Sequence, residues 1–358
     1  IFFYITYLIE KKQFAEAKKI TDQIDILSSN LLIAQTKNWI DNKEFNKFNH
    51  IFSCKNETDI LSEFFFLISN IYSSEDEIGK SNFYLKISNF LNPKFHFNLS
   101  LFVENFYNSK NYRETEKVLD DFNESDDLYY WYKIKIKTQI ISQELGQEQA
   151  YNFLNSKFKK IKKPSVKILY DMANLVKGFE KHQIAINYYN ELLTKINMNS
   201  NTYAEILFRR GGSYERLKKF NKSDEDLLQS LEINPDEAYV LNYLAYSWLE
   251  RNYKIDTAIE MLQRAYKQKT NDPFIIDSVG WGYYLVNDFI KAEKFLRRAI
   301  ELMPNDPIVN DHYGDILWKM DRKIEARYYW KSVLKFEDTE EKMKENIKFK
   351  LLKGLKII

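Results

Sequence analysis

Small and bulky apolar residues recur along this chain with a helical beat, and a longer period is laid over that beat. Small residues stand at Gly211, Ala245, Gly280 and Gly314, at Ser223, Ala258, Ala292 and Ala326, and at Ser230, Ala265, Ala299 and Val333, with Val333 the largest of them. Each of these three series advances by 34 or 35 positions. Bulky columns run in step with them. Leu207, Leu241 and Ile276 precede the first series, Tyr214, Trp248 and Tyr283 follow it by three residues, and Leu227, Leu262, Leu296 and Trp330 follow the second by four. Spacings of three and four share one helix face, so each period predicts two amphipathic helices, and a fixed period of this length predicts a repeat architecture. The small columns have a packing reason: they let the first helix approach the second, and the second approach the next first helix.

Turn signals fall where that pattern needs them, at Asn234-Pro235, Asn271-Asp272-Pro273 and Asn305-Asp306-Pro307. Asp272 and Asp306 suit an N-cap, with Pro273 and Pro307 at the first helical position, where a missing N–H costs nothing. Pro304 is expected to end a second helix. Upstream, Ala185, Ala150, Thr115 and Ser81 continue the second small column, which extends to Phe48 and Ala17, and Asn92-Pro93 repeats the end-of-unit turn. Ten units would then fill the chain. After a charged break at Glu337 to Glu341, a last helix near Lys342 to Leu355, with Ile347, Leu351 and Leu355 four apart, is expected to cap the stack.

The unit from Pro273 to Asp306 offers Ile276, Val279, Gly280, Tyr283, Ala292, Leu296, Ala299 and Pro304 in the pattern W-x2-L-G-x2-Y, A-x3-F, A and P. It resembles the tetratricopeptide repeat. From about Tyr203 the chain also resembles a group of bacterial tetratricopeptide proteins of poorly defined function, in its runs Leu241 to Trp248, Asp277 to Tyr284 and Asn310 to Trp318 and in the ending Leu352-Lys353-Gly354-Leu355. The resemblance implies an all-α fold, a right-handed superhelical solenoid of helix-turn-helix repeats. The expected organisation is one continuous solenoid: divergent repeats over 1–202, four well-defined units over 203–338 and a capping helix over 339–358.

Composition agrees. Hydrophobic residues at 44% and charged residues at 29% exclude a disordered tail, and only 9 Gly and 6 Pro are too few to turn many short strands. Lys and Arg number 53 against 51 Asp and Glu, so no general pull toward nucleic acid is expected, and the run Lys159 to Lys163 reads as a solvated helix end. Cys54, the lone cysteine, can form no internal disulfide and reads as a small buried residue. The run Ile1 to Ile9 is too short to span a bilayer and reads as helix core. A first residue other than methionine points to a lost start, while the ending motif points to a present C-terminus.

Chemistry is not signalled. His50, His96, His182 and His312 are scattered, with no HExxH or Cys-His cluster, so no metal, cofactor or catalytic residue is expected. Gly211-Gly212-Ser213 and Gly280-Trp281-Gly282 fall within helical periods and read as packing positions, not phosphate or dinucleotide loops. His312 reads as a packing or hydrogen-bonding residue.

In such repeats the first helices line the concave face, and the resemblance implies that ligands lie there. The fifth, ninth and twelfth positions of each unit are expected to face inward: Asn242, Tyr246 and Leu249, then Asp277, Trp281 and Tyr284, then Asp311, Asp315 and Trp318. All of these but Leu249 form the candidate partner-binding set. The column is acidic and aromatic. Relatives that clamp a terminal carboxylate use Lys and Asn at such places, and here Asp277 and Asp311 would repel one, so a neutral or basic partner with apolar anchors is expected. Set against that reading is one in which the Trp and Tyr residues simply pack between repeats. The function expected is a non-enzymatic scaffold or adaptor for a protein or peptide, in a bacterial cytoplasm or cell envelope. The alternative is a partner-presenting arm of a larger enzyme.

Overall fold

The structure is a computed structural model that describes residues 1–122, 126–337 and 339–355. Asp338, inside the expected charged break, and residues 356–358, at the end of the expected cap, lie outside the described residues. The described residues are all-α, and the chain divides into two compact units, the first comprising Ile1–Lys195 and the second beginning at Ile196. Each unit is a stack of helix pairs of the helical-repeat solenoid type.

The first unit holds six pairs: α1 (Phe2–Glu10) with α2 (Phe14–Asp22), α3 (Leu31–Asp41) with α4 (Asn46–Ile51), α5 (Glu57–Ser74) with α6 (Ile78–Leu91), α7 (Phe97–Asn108) with α8 (Tyr112–Asp120), α9 (Asp127–Leu145) with α10 (Gln147–Phe158), and α11 (Val166–Gly178) with α12 (His182–Leu193). An aromatic core joins its early helices. The ring of Phe2 lies 6.1 Å from Phe48 and 5.8 Å from Phe95, and Phe48 packs edge-on against Trp39 at 5.2 Å. Phe48 is large where the column wants a small residue. It sits on the six-residue helix α4 and is fully buried among those rings. The pairs do not simply follow one another here. α3 reaches α9, where the Gln35 amide donates to Asp126 Oδ2 at 2.9 Å, and Lys167 on α11 donates to the Leu27 carbonyl.

The second unit holds α13 (Asn201–Arg216) with α14 (Phe220–Ile233), α15 (Ala238–Glu250) with α16 (Ile255–Gln268), α17 (Pro273–Leu285) with α18 (Phe289–Leu302), α19 (Pro307–Lys319) with α20 (Lys323–Val333), and a last helix α21 (Glu341–Lys353). The expected caps form: Asp272 accepts from the Phe274 and Ile275 N–H groups, and Asp306 accepts from those of Ile308 and Val309. The small columns do what their spacing implies. A Cβ on Gly280 would lie 2.6 Å from Leu296 Cγ, and one on Gly314 only 2.4 Å from Trp330 Nε1, so the first helix meets the bulky column of the second where glycine leaves room. The second small column, from Ala17 through Phe48, Ser81, Thr115, Ala150, Ala185, Ser223, Ala258 and Ala292 to Ala326, has no exposed surface at any position. Cys54 departs from its expected place, being half-buried, with Sγ 3.9 Å from the Phe3 carbonyl. It sits in the link between α4 and α5, partly buried against the aromatic core.

One recurring feature escaped the sequence reading. Each turn between paired helices carries a residue at positive φ: Lys12, Lys43, Asp76, Lys110, Gly146, Glu180, Lys218, Asn252, Asn287 and Asp321. At every one of these turns except that at Gly146, the next N–H then reaches back to the carbonyl five residues earlier, as from Lys219 to Tyr214 at 2.9 Å and from Arg322 to Leu317 at 2.9 Å, closing the first helix in a Schellman motif. A left-handed residue other than glycine is strained. Lys218→Gly is therefore expected to raise the unfolding free energy by about 0.5–1 kcal/mol, the strain relieved less the added chain entropy. Lys219→Gly, at φ −88°, is expected to show no such gain in the same denaturant titration.

Candidate partner-binding cleft

In the second unit, Asn242 and Tyr246 on α15 and Asp277 on α17, three of the expected residues, line one cleft of about 300 Å³. Four residues that sequence reasoning missed complete its character: Glu215 at the end of α13, Glu250 at the end of α15, and Phe274 and Ile308 at the second positions of α17 and α19. Phe274 and Ile308 are 59% and 50% exposed. With Tyr239 they form a column spaced 35 and 34 apart, a signal present in the sequence but outside the positions chosen as inward-facing.

The polar groups of the cleft are unevenly satisfied. The Trp281 indole N–H donates to Glu250 Oε1 at 3.0 Å, and the Tyr243 hydroxyl donates to Glu215 Oε2 at 3.2 Å. Asn242 Oδ1 and Asp277 Oδ1 are buried and have no hydrogen-bond partner among the described residues. An unanswered buried acceptor is costly, of order 1–3 kcal/mol, and native proteins keep few of them. Burial, with Glu250, Asp277 and Asp311 adding to it, pushes the Tyr246 phenol far above its ordinary value, so its hydroxyl stays protonated and keeps both donor and acceptor capacity.

The other expected residues are engaged by their own chain. Trp281 stacks on Tyr284 at 4.7 Å and on His312 at 4.1 Å, and the His312 Nδ1 lies 2.9 Å from Asp277 Oδ2. His312 thus has the packing and hydrogen-bonding place expected of it. Asp311 and Asp315 are buried and both meet the Lys350 ammonium of α21, which stands 2.8 and 2.9 Å from the two oxygens of Asp315. Asp315 also accepts from the Trp330 indole N–H at 3.0 Å. Trp318 lies 5.3 Å from Trp330 and against Gly354, where a Cβ would fall 2.2 Å from the Trp318 ring. Leu249 is a core residue, 2% exposed.

This cluster of three carboxylates and two basic groups sets a pH dependence. Burial works against a charged His312, but Asp277 beside it, with Asp311 and Asp315 further off, outweighs burial and raises the imidazole pKa. A basic group raised on folding contributes its stability in full below the unfolded value of about 6.5, and loses it as pH rises through the folded value. The unfolding free energy of the second unit should therefore fall as pH climbs from about 6.5 through that raised value, and His312→Gln should remove this part of the pH profile. At Asp315, burial and the Asp311 charge push the carboxyl up to about 6 despite the pull of Lys350. Burial likewise opposes the Lys350 charge, and there Asp315 and Asp311 prevail and raise its pKa.

The first unit has a smaller cleft of about 190 Å³, where the start of α3 faces α7, α9 and α11. Asp171 there accepts from the Lys135 ammonium at 2.7 Å and from the Trp131 indole at 3.2 Å. Glu104 reaches solvent at the cleft but is crowded by protein, and burial pushes its carboxyl up. Sequence reasoning had no signal for this cleft, because it depends on α3 meeting helices that lie far along the chain. Among the described residues no group of His, Cys, Asp and Glu is arranged to hold a metal ion, and no helix is long and apolar enough to cross a membrane.

A TPR repeat-containing protein of Pseudomonas aeruginosa is 32% identical over 110 residues, 31% of this chain and 18% of that protein, so the matched stretch spans under a fifth of the relative. Among solved structures, PilW, titled a widely conserved type IV pilus biogenesis factor, aligns at 18% identity and a TM-score of 0.47 over 53% of this chain and 85% of that one. A thermophilic TPR protein of Thermus thermophilus aligns at 17% identity and a TM-score of 0.45 over 52% of this chain and 100% of that one. The family model for the tetratricopeptide repeat matches residues 204–237, the segment that spans most of the α13–α14 pair. On that match, residues 204–237 are similar to a tetratricopeptide repeat.

Proposed function

We propose that this chain is a non-enzymatic protein-interaction scaffold, and that its second unit holds a partner segment in the cleft lined by α15 and α17. One observation carries the reading: buried acceptors left unanswered at Asn242 and Asp277 line a cleft whose rim exposes Phe274 and Ile308. A peptide supplies what that arrangement lacks, N–H donors for the acceptors and apolar side chains for the rim. Repeats of this type generally serve as non-catalytic scaffolds, which agrees. The acidic side chains of the cleft favour a neutral or basic partner and oppose a nucleic-acid backbone.

The test is a selection of short random peptides on the full chain. Binders are expected to alter Trp281 fluorescence and to weaken about tenfold or more in Phe274→Ala/Ile308→Ala, whose side chains are exposed and leave the fold intact. The control is Ile324→Ala/Tyr328→Ala on the second helix α20, also exposed, which should bind as the parent does. Binders insensitive to the first pair, or sensitive to the second, would remove the assignment.

A further inference from the structure

The first helices of the second unit present the same columns in succession, and at one of them the chain supplies its own occupant. On α19, Asp311 and Asp315 face the groove column, and the Lys350 ammonium from α21 sits between them, 5.9 Å from the centre of the Trp330 ring. The set that receives it is two carboxylates and an aromatic face.

The preceding repeats assemble a comparable set with no lysine in it. Asp277 is 5% exposed, gives Oδ2 to His312 and leaves Oδ1 without a partner among the described residues. Glu250 is exposed, and its carboxylate is already oriented by the Trp281 indole. Tyr246 stands close enough to Glu250, Asp277 and Asp311 for all three to act on its phenol, and Asn242 adds a further unanswered carbonyl oxygen. Among the described lining residues, Arg216 is the one cation set against Glu215, Glu250 and Asp277.

Resting on the scaffold reading above, we infer that the cleft between α15 and α17 reads a lysine side chain of the partner, taking its ammonium near Tyr246, Glu250 and Asp277 as α19 takes Lys350. The apolar rim at Phe274 and Ile308 then receives an aliphatic or aromatic neighbour of that lysine. Lysine is favoured over arginine because the acceptors come from separate side chains, those of Tyr246, Glu250 and Asp277. Such a set suits a compact point charge with three rotatable donors better than a planar fork.

The experiment uses the peptides selected on the full chain. Lysine is expected at one position beside an apolar residue, and its replacement by norleucine should weaken binding about tenfold or more, as the loss of a hydrogen-bonded charge implies. Glu250→Gln keeps an acceptor for Trp281 and so keeps the melting temperature, and it should weaken the lysine peptide several-fold while leaving the norleucine peptide unchanged. Asp277→Asn, with its fold checked by melting, should act in the same direction. Peptides that depend on Phe274 and Ile308 but tolerate norleucine, or that carry arginine with equal affinity, would overturn the lysine assignment and leave the scaffold reading standing. Absence of any peptide that depends on Phe274 and Ile308 would overturn both.

Discussion

Lys350→Met is expected to destabilise the second unit by about 3–5 kcal/mol at neutral pH, because it leaves two buried carboxylates facing each other without their cation. Asp311 and Asp315 are each below 10% exposed, and among the described residues no other basic side chain forms an ion pair with either of them. The loss carries a pH signature. Burial already pushes Asp315 up to about 6, so acidifying below that value neutralises one carboxylate and should shrink the difference between parent and variant. Adding Asp315→Asn to the methionine variant should recover part of the loss at neutral pH, since an amide oxygen can still accept from Trp330. Denaturant unfolding of these three proteins at two pH values measures all of this. A methionine variant as stable as the parent would mean that α21 is not latched by this pair.

A second large effect separates two glycines of one helix. Gly280→Ala is expected to cost about 1–3 kcal/mol by overpacking, since its new methyl would meet Leu296 at 2.6 Å and the Leu296 backbone nitrogen at 3.1 Å. Gly282→Ala, two residues on, would meet Ile259, Leu249 and Leu262 at 3.4 Å, a distance of ordinary contact. It should therefore be tolerated, and gain up to about 1 kcal/mol from the better helix propensity of alanine. The opposite signs follow from register alone. Gly280 belongs to the column that faces the second helix of its own pair, and Gly282 lies on the face toward the preceding pair. Equal effects in thermal melting would contradict the packing described for both.

Most of the fold was legible because it depends on local spacing. The second small column could be followed from Ala326 back to Ala17 with Phe48 as its one large member, since close helix approach favours a compact residue at each crossing and leaves a mark every period. The Asp-Pro caps were legible for a similar reason, as they satisfy N–H groups within three residues. What escaped depends on partners distant in sequence or on backbone shape. Nothing in the run Leu31 to Asp41 says that α3 meets α9. The left-handed turn residues are mostly Lys, Asn and Asp, not glycine, so the strained position has no compositional flag. The inward-facing column was placed on α15, α17 and α19, but its use was not: Asn242, Tyr246 and Asp277 line a cleft, whereas Asp311 and Asp315 are taken by a lysine 35 to 39 positions away. Phe274 and Ile308 stand at a fixed offset in the sequence, but that spacing alone does not distinguish an exposed apolar residue at a helix start from one that packs inward.

Amide hydrogen exchange on the full chain, with and without a saturating selected peptide, tests the central claim most directly. Added protection is expected on α15 and α17, in the stretches around Asn242 to Glu250 and Phe274 to Tyr284, with α16 and α18 unchanged. Protection confined to the second helices, or to the first unit, would contradict the account.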